Sequence, residues 1–206
     1  MNWNIPNILT LLRLIAAPGV AIMFLYFHRP LADWFALILF VVAAFTDFLD
    51  GYLARAWKQE SKFGAMMDPI ADKAMVIIAL VVITGFSGMN PWILLPAVLI
   101  IFREVFVSGL REFLGETAGL LKVTNLAKWK TTVQMAAISV LFAKGAFEHY
   151  LIDRTNGDVL GLRTLELGAE ISWYLGIGLL WIAMVLTVLS GADYFGKSLP
   201  YLRDAP

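Results

Sequence analysis

Six stretches of about twenty mostly apolar residues, each the length a bilayer-crossing helix needs, constrain this chain more than any other feature. They run Asn7–Phe27, Trp34–Arg55, Phe63–Phe86, Trp92–Arg111, Trp129–Phe147 and Ile171–Ser190. In hydrocarbon a backbone must satisfy its own N–H and C=O groups, so such stretches fold as helices. The expectation is an all-α, polytopic integral membrane protein with six transmembrane helices, one domain over residues 1–206. The composition agrees. Hydrophobic residues make up 60% and charged residues only 16%, against about a quarter charged in ordinary soluble domains, and mean hydropathy is +0.75. A soluble globule and a disordered chain are excluded. With 16 basic and 16 acidic residues there is no basic field for nucleic acid.

Ser87-Gly88-Met89-Asn90-Pro91 reads as a tight turn. Glu148–Glu170, with Asp153, Asn156-Gly157 and Asp158, reads as a loop. Lys144 sits where its stem can snorkel to the headgroups. Basic residues near span ends set orientation. With the N-terminus inside, Arg55, Lys58, Lys62, Arg111, Lys122, Lys128, Lys130, Lys197 and Arg203 fall on the cytoplasmic side, and Arg29, Lys144, Arg154 and Arg163 opposite. Nine against four places both termini in the cytoplasm.

Zero cysteines exclude a disulfide scaffold, thiolate metal sites and a cysteine nucleophile. The two histidines, His28 and His149, read as solvated residues at span ends. The chemistry therefore rests on a few charges inside the spans: Arg13, Lys73, Arg103, Asp47, Asp50, Asp68, Asp72 and Glu104. A mid-helix Asp, Lys or Arg costs roughly 2.5–3.5 kcal/mol on insertion scales. In the orientation above all eight lie in the cytoplasmic part of their helices, so one cavity open to the cytoplasm can hold them.

Asp47 and Asp50 are three apart and Asp68 and Asp72 four apart, so each pair shares a helix face. The short connection Ala56–Lys62 makes the second and third helices antiparallel neighbours, which brings four carboxylates to one depth. Such a cluster needs neutralisation. With no thiol and no nearby imidazole, the natural neutraliser is Mg²⁺ or Mn²⁺. Ion pairs with Lys73, Arg13 and Arg103, or a proton relay, are the alternatives.

The run Asp47-x-x-Asp50-Gly51-x-x-Ala54-Arg55, then eight residues, then Gly64-x-x-x-Asp68-x-x-x-Asp72 resembles the signature of the CDP-alcohol phosphatidyltransferase family, with all eight fixed positions filled. The resemblance implies a six-helix membrane enzyme, a homodimer, that displaces CMP from a CDP-activated lipid or alcohol. It makes Asp47, Asp50, Asp68 and Asp72 metal ligands and Asp72 also the general base. Gly51, Ala54 and Gly64 would let CDP-diacylglycerol approach the helices, and Arg55 suits its diphosphate. Close helix packing and interfacial anchoring are the alternative roles for these four.

Further segments resemble the bacterial phosphatidylglycerophosphate synthase branch. They are Asn4-Ile5-Pro6-Asn7-x-x-Thr10-x-x-Arg13, Arg103-Glu104, Ser108-Gly109-Leu110-Arg111-Glu112 and Lys128-Trp129-Lys130-Thr131-Thr132-Val133-Gln134. That branch implies sn-glycerol 3-phosphate as acceptor, on a bacterial inner membrane with the site facing the cytoplasm. Asn7 and Thr10 would line the nucleotide side, or else cap or pack their helix. Arg103, Arg111, Lys128 and Lys130 would hold the acceptor phosphate, although the positive-inside bias also accounts for Lys128 and Lys130. It does not account for Arg103, about 12 Å deeper along its helix than Arg111. Glu104 reads as a partner for a neighbouring cation. Within the family, inositol phosphate or serine are rival acceptors. Outside it the rival is a cation- or proton-coupled transporter, which would spread its polar residues across the membrane.

Overall fold

The computed structural model describes residues 4–56, 61–120, 125–153 and 159–202. The side chains of residues 6, 47–56, 116, 117, 120, 125–128, 152, 153, 159 and 160 lie outside that description. The described chain is helical throughout: α1 Ile5–Tyr26, α2 Leu31–Ala56, α3 Lys62–Phe86, α4 Pro91–Leu114, a 3-10 helix Gly115–Leu120, α5 Asn125–Asp153 and α6 Val159–Leu202.

Local signals explain the boundaries. Asn4, in extended conformation, precedes α1, and a proline stands in the helix's first turn, where no N–H is missed. Ser61 caps α3 by accepting from Gly64 N at 3.0 Å. Asn90 caps α4 by accepting from Trp92 N at 3.0 Å. The expected turn between α3 and α4 is present, with Gly88 and Met89 both at positive φ.

The expected all-α fold with six α-helices is found. Among the described residues four of them contain stretches long and apolar enough to cross a membrane: Asn7–Tyr26, Lys62–Phe86, Pro91–Leu114 and Gly161–Leu202. In α2 the described apolar stretch is the shorter Leu31–Thr46.

One expectation is overturned. The described parts of Glu148–Glu170 are helix and not loop: α5 continues to Asp153 and α6 begins at Val159. Glu148, Glu166 and Glu170 are polar but good helix formers, and Lys144 Nζ reaches Glu148 Oε2 at 2.5 Å one turn away. At 44 residues, α6 is about 66 Å long, well beyond the hydrocarbon thickness of roughly 30 Å.

α5 and α6 pack along each other, α1 packs against both α2 and α3, α4 lies on α6, and α2 on α5. Among the described residues α1 and α5 are both shared neighbours of α2 and α3. Convergence of the two aspartate pairs, by contrast, depends on side chains of 47–56, outside the described residues. Small residues fill the interfaces: Ala17, Ala36, Ala79, Ala137 and Ala183 are fully buried. In lipid, where apolar side chains gain nothing by leaving the tails, such close approach is what holds helices together. Phe24, Phe40 and Phe142 form the aromatic centre. Large apolar side chains such as Leu25, Phe102 and Val105 point outward, as a lipid-facing surface requires.

Candidate functional site

Two groups of polar side chains meet at the end of the bundle formed by the start of α3, the end of α4 and the start of α5. The first is carried by α1 and α3. Asn7, Thr10 and Arg13, three residues apart on one face of α1, are all buried. Thr10 Oγ1 donates to Asp68 Oδ1 at 2.6 Å. Arg13 Nη1 donates to Asp72 Oδ1 at 2.6 Å, and its Nη2 stands 3.7 Å from Asp68 Oδ1. Ser61 Oγ donates to Asn7 Oδ1 at 2.8 Å. Asn7 is thus engaged with the start of α3. Gly64 has a steric reason as well: a Cβ there would lie 2.8 Å from Asn7 Oδ1.

Arg13 supplies the ion pairing weighed from the sequence. Lys73 does not. It follows Asp72 by one residue, about 100° round the helix, and faces a cleft instead. That cleft, of about 230 Å³, is lined by Asp72, Lys73, Arg103, Glu104, Arg111, Lys130 and Gln134 among others. Glu104 is buried and accepts from Lys130 Nζ, with Arg103 Nη1 a further 3.5 Å away. The pairing expected for Glu104 is therefore present. Arg111 is exposed, with its guanidinium 5.2 Å from the centre of the Tyr194 ring.

Four cations and two carboxylates line the cleft. Glu104 offsets Lys130, and Asp72 is engaged by Arg13 from the far side, so Lys73, Arg103 and Arg111 leave a net positive surface. Such a cleft suits a phosphate. Asp72 borders both groups, with its side chain about one-third exposed. A carboxylate beside a phosphate-sized cationic cleft can accept a proton from a hydroxyl held there.

The structure brings together Asn7, Thr10, Gly64, Asp68 and Asp72 on one side and Arg103, Arg111 and Lys130 on the other. Asp47, Asp50, Gly51, Ala54 and Arg55 fall on the helical backbone of α2 and Lys128 on that of α5, but their side chains lie outside the described residues. From the sequence Lys73 was expected in the shared cavity but not among the acceptor-phosphate residues, whose cleft it lines. Asp33, which is buried at the other end of the bundle, was not singled out, so buried charge is not confined to one end.

Asp68 and Asp72 fit a hard divalent cation: both are oxygen-only donors, one turn apart and partly exposed. Among the described residues no group of three or more potential ligands is assembled, and the side chains of Asp47 and Asp50 lie outside those residues.

A family model described as CDP-alcohol phosphatidyltransferase matches residues 3–189. Curated relatives named CDP-diacylglycerol–glycerol-3-phosphate 3-phosphatidyltransferase include one from Cereibacter sphaeroides, 63% identical over 99% of both chains. Others are from Rickettsia bellii, 40% identical over 95% of both chains, and Haemophilus influenzae, 38% identical over 99% of this chain and 98% of that one. With the aspartate signature intact and the match running nearly end to end, the chain belongs to the CDP-alcohol phosphatidyltransferase family.

Proposed function

We propose that the protein transfers the phosphatidyl group of CDP-diacylglycerol to sn-glycerol 3-phosphate, giving phosphatidylglycerophosphate and CMP. The observation that carries this reading is the position of Asp72, on the rim between the α1–α3 carboxylate corner and the cationic cleft. The relatives' names point to the same reaction.

In this reading Asp72 is the general base. It takes the proton of the acceptor hydroxyl as that oxygen attacks the phosphorus bearing the diacylglycerol, and the P–O bond to CMP breaks with the bridging oxygen leaving on CMP. Arg13 and Thr10 hold Asp72 and Asp68 in place. Arg103, Arg111, Lys128 and Lys130, with Lys73, hold the acceptor phosphate, so the hydroxyl is delivered by position. Gly51, Ala54, Arg55, Gly64, Asn7 and Thr10 form the CDP-diacylglycerol side. Asp47, Asp50, Asp68 and Asp72 would hold Mg²⁺ or Mn²⁺, which when bound neutralises the diphosphate and stabilises departing CMP.

All six helices cross the bilayer, both termini face the cytoplasm, the cleft opens to the cytoplasmic side of a bacterial inner membrane, and the enzyme works as a homodimer. The excess of basic residues on one side supports the orientation.

Purified protein with CDP-diacylglycerol and Mg²⁺ or Mn²⁺ is expected to release CMP and form phosphatidylglycerophosphate when sn-glycerol 3-phosphate is added. Release only with inositol phosphate or serine would overturn the acceptor. Release with no acceptor tried, alongside cation flux in vesicles, would favour transport.

A further inference from the structure

The cationic cleft is backed by a part of α6 to which the proposed roles assign nothing. Thr187, Ser190, Gly191 and Tyr194 recur at three- and four-residue intervals, so they share one helix face. Each meets a residue of the cleft. Gln134 Nε2 donates to Thr187 Oγ1 at 3.0 Å. Arg103 Nη2 donates to Ser190 Oγ at 3.2 Å. The Arg111 guanidinium lies over Tyr194.

Arg103 depends most on this wall. Ser190 spends its own hydroxyl hydrogen on Thr187 O, at 3.0 Å, which leaves an oxygen lone pair for the guanidinium. The stem of Arg103 runs across Gly191: a Cβ there would stand 2.8 Å from Arg103 Cγ and 3.2 Å from Nε. Arg103 Nε is buried and makes no hydrogen bond among the described residues, and the contact to Glu104 is long at 3.5 Å. Little except α6 fixes the direction of this guanidinium.

We propose that Ser190 and Gly191 are positioning residues that aim Arg103 into the cleft, so that α6 sets the affinity for the phosphorylated acceptor. The proposal rests on reading the cleft as the acceptor-phosphate site. Gly191 serves by having no side chain, and Ser190 by accepting one guanidinium hydrogen bond.

The test is steady-state kinetics on the purified full chain, with glycerol 3-phosphate and CDP-diacylglycerol varied separately. Gly191→Ala is expected to raise the KM for glycerol 3-phosphate about tenfold, the size of one charge-assisted hydrogen bond misaimed, and Ser190→Ala about threefold, a part of that. The KM for CDP-diacylglycerol should stay unchanged. In an Arg103→Ala background neither substitution should raise the acceptor KM further. Equal rises in both KM values, or a rise that persists without Arg103, would show a packing role and overturn the proposal. An unchanged acceptor KM in both single variants would overturn it as well. If Arg103→Ala itself leaves the acceptor KM unaltered, the reading of the cleft fails first, and that outcome is separable from the others.

Discussion

The two ends of the helix bundle both bury charge, but they handle it differently. At the end formed by the starts of α2 and α4 and the last turns of α1, α3 and α5, the cations Arg29 and Lys144 each find an opposite charge. Arg29 Nε donates to Asp33 Oδ2 at 2.7 Å, a second guanidinium nitrogen binds the other oxygen, and the same guanidinium sits over Phe24 and Phe86. Lys144 pairs with Glu148 and covers Trp173. At the other end, Lys73, Arg103, Arg111 and Lys130 outnumber Asp72 and Glu104 around an open cleft. A closed pair tends to hold structure, whereas an uncompensated set needs a ligand. Buried charge alone therefore does not mark the site; the imbalance does.

The sharpest break of the comparison is removal of divalent cations. Chelation is expected to abolish CMP release, and added Mg²⁺ or Mn²⁺ to restore it. Turnover that survives exhaustive chelation would remove the metal from the account. Next in size is Asp72→Asn, which keeps the shape but cannot take a proton. A loss in kcat of about 10²–10⁴ is expected, and near-normal kcat would end the base assignment. Arg111→Ala should raise the KM for glycerol 3-phosphate about tenfold, the size of one charge-assisted contact, with the CDP-diacylglycerol KM little changed. Comparable loss for both substrates would place Arg111 outside the acceptor pocket.

The opposite end should respond in stability instead. Arg29→Ala strands the buried Asp33 carboxylate, which is 1% exposed, and is expected to cost about 3 kcal/mol, read as a lower Tm in detergent or lipid. Both KM values should hold. A selective rise in the acceptor KM would erase the distinction between the two ends.

Much of this was legible in the sequence, because hydropathy at span length and helical spacing are local properties. The six helices, the Ser87–Pro91 turn, the Glu104 pairing and the shared face of Asp68 and Asp72 all follow from them. The continuation of α5 and α6 into Glu148–Glu170 did not, since polarity signals solvent as readily in a helix as in a loop. Asp33 escaped notice because it stands in the first turn of α2, just ahead of the expected span start, where an acidic residue suits the helix dipole. The roles of Thr187, Ser190 and Gly191 were invisible for another reason. Uncharged residues leave no mark in a charge map, and only the packing of α6 against α4 and α5 gives them partners. Lys73 lay in view, but which side of α3 it faces is decided by tertiary packing.

The central claim is that the surplus positive charge at the cleft receives the phosphate of the acceptor. It is tested most directly by comparing CMP release with sn-glycerol 3-phosphate and with glycerol at equal concentration and fixed CDP-diacylglycerol. Glycerol keeps the hydroxyls and lacks the phosphate. Release is expected with glycerol 3-phosphate and, with two or more charged contacts forfeited, a rate at least about 10² lower with glycerol. Equal rates with the two acceptors would contradict it.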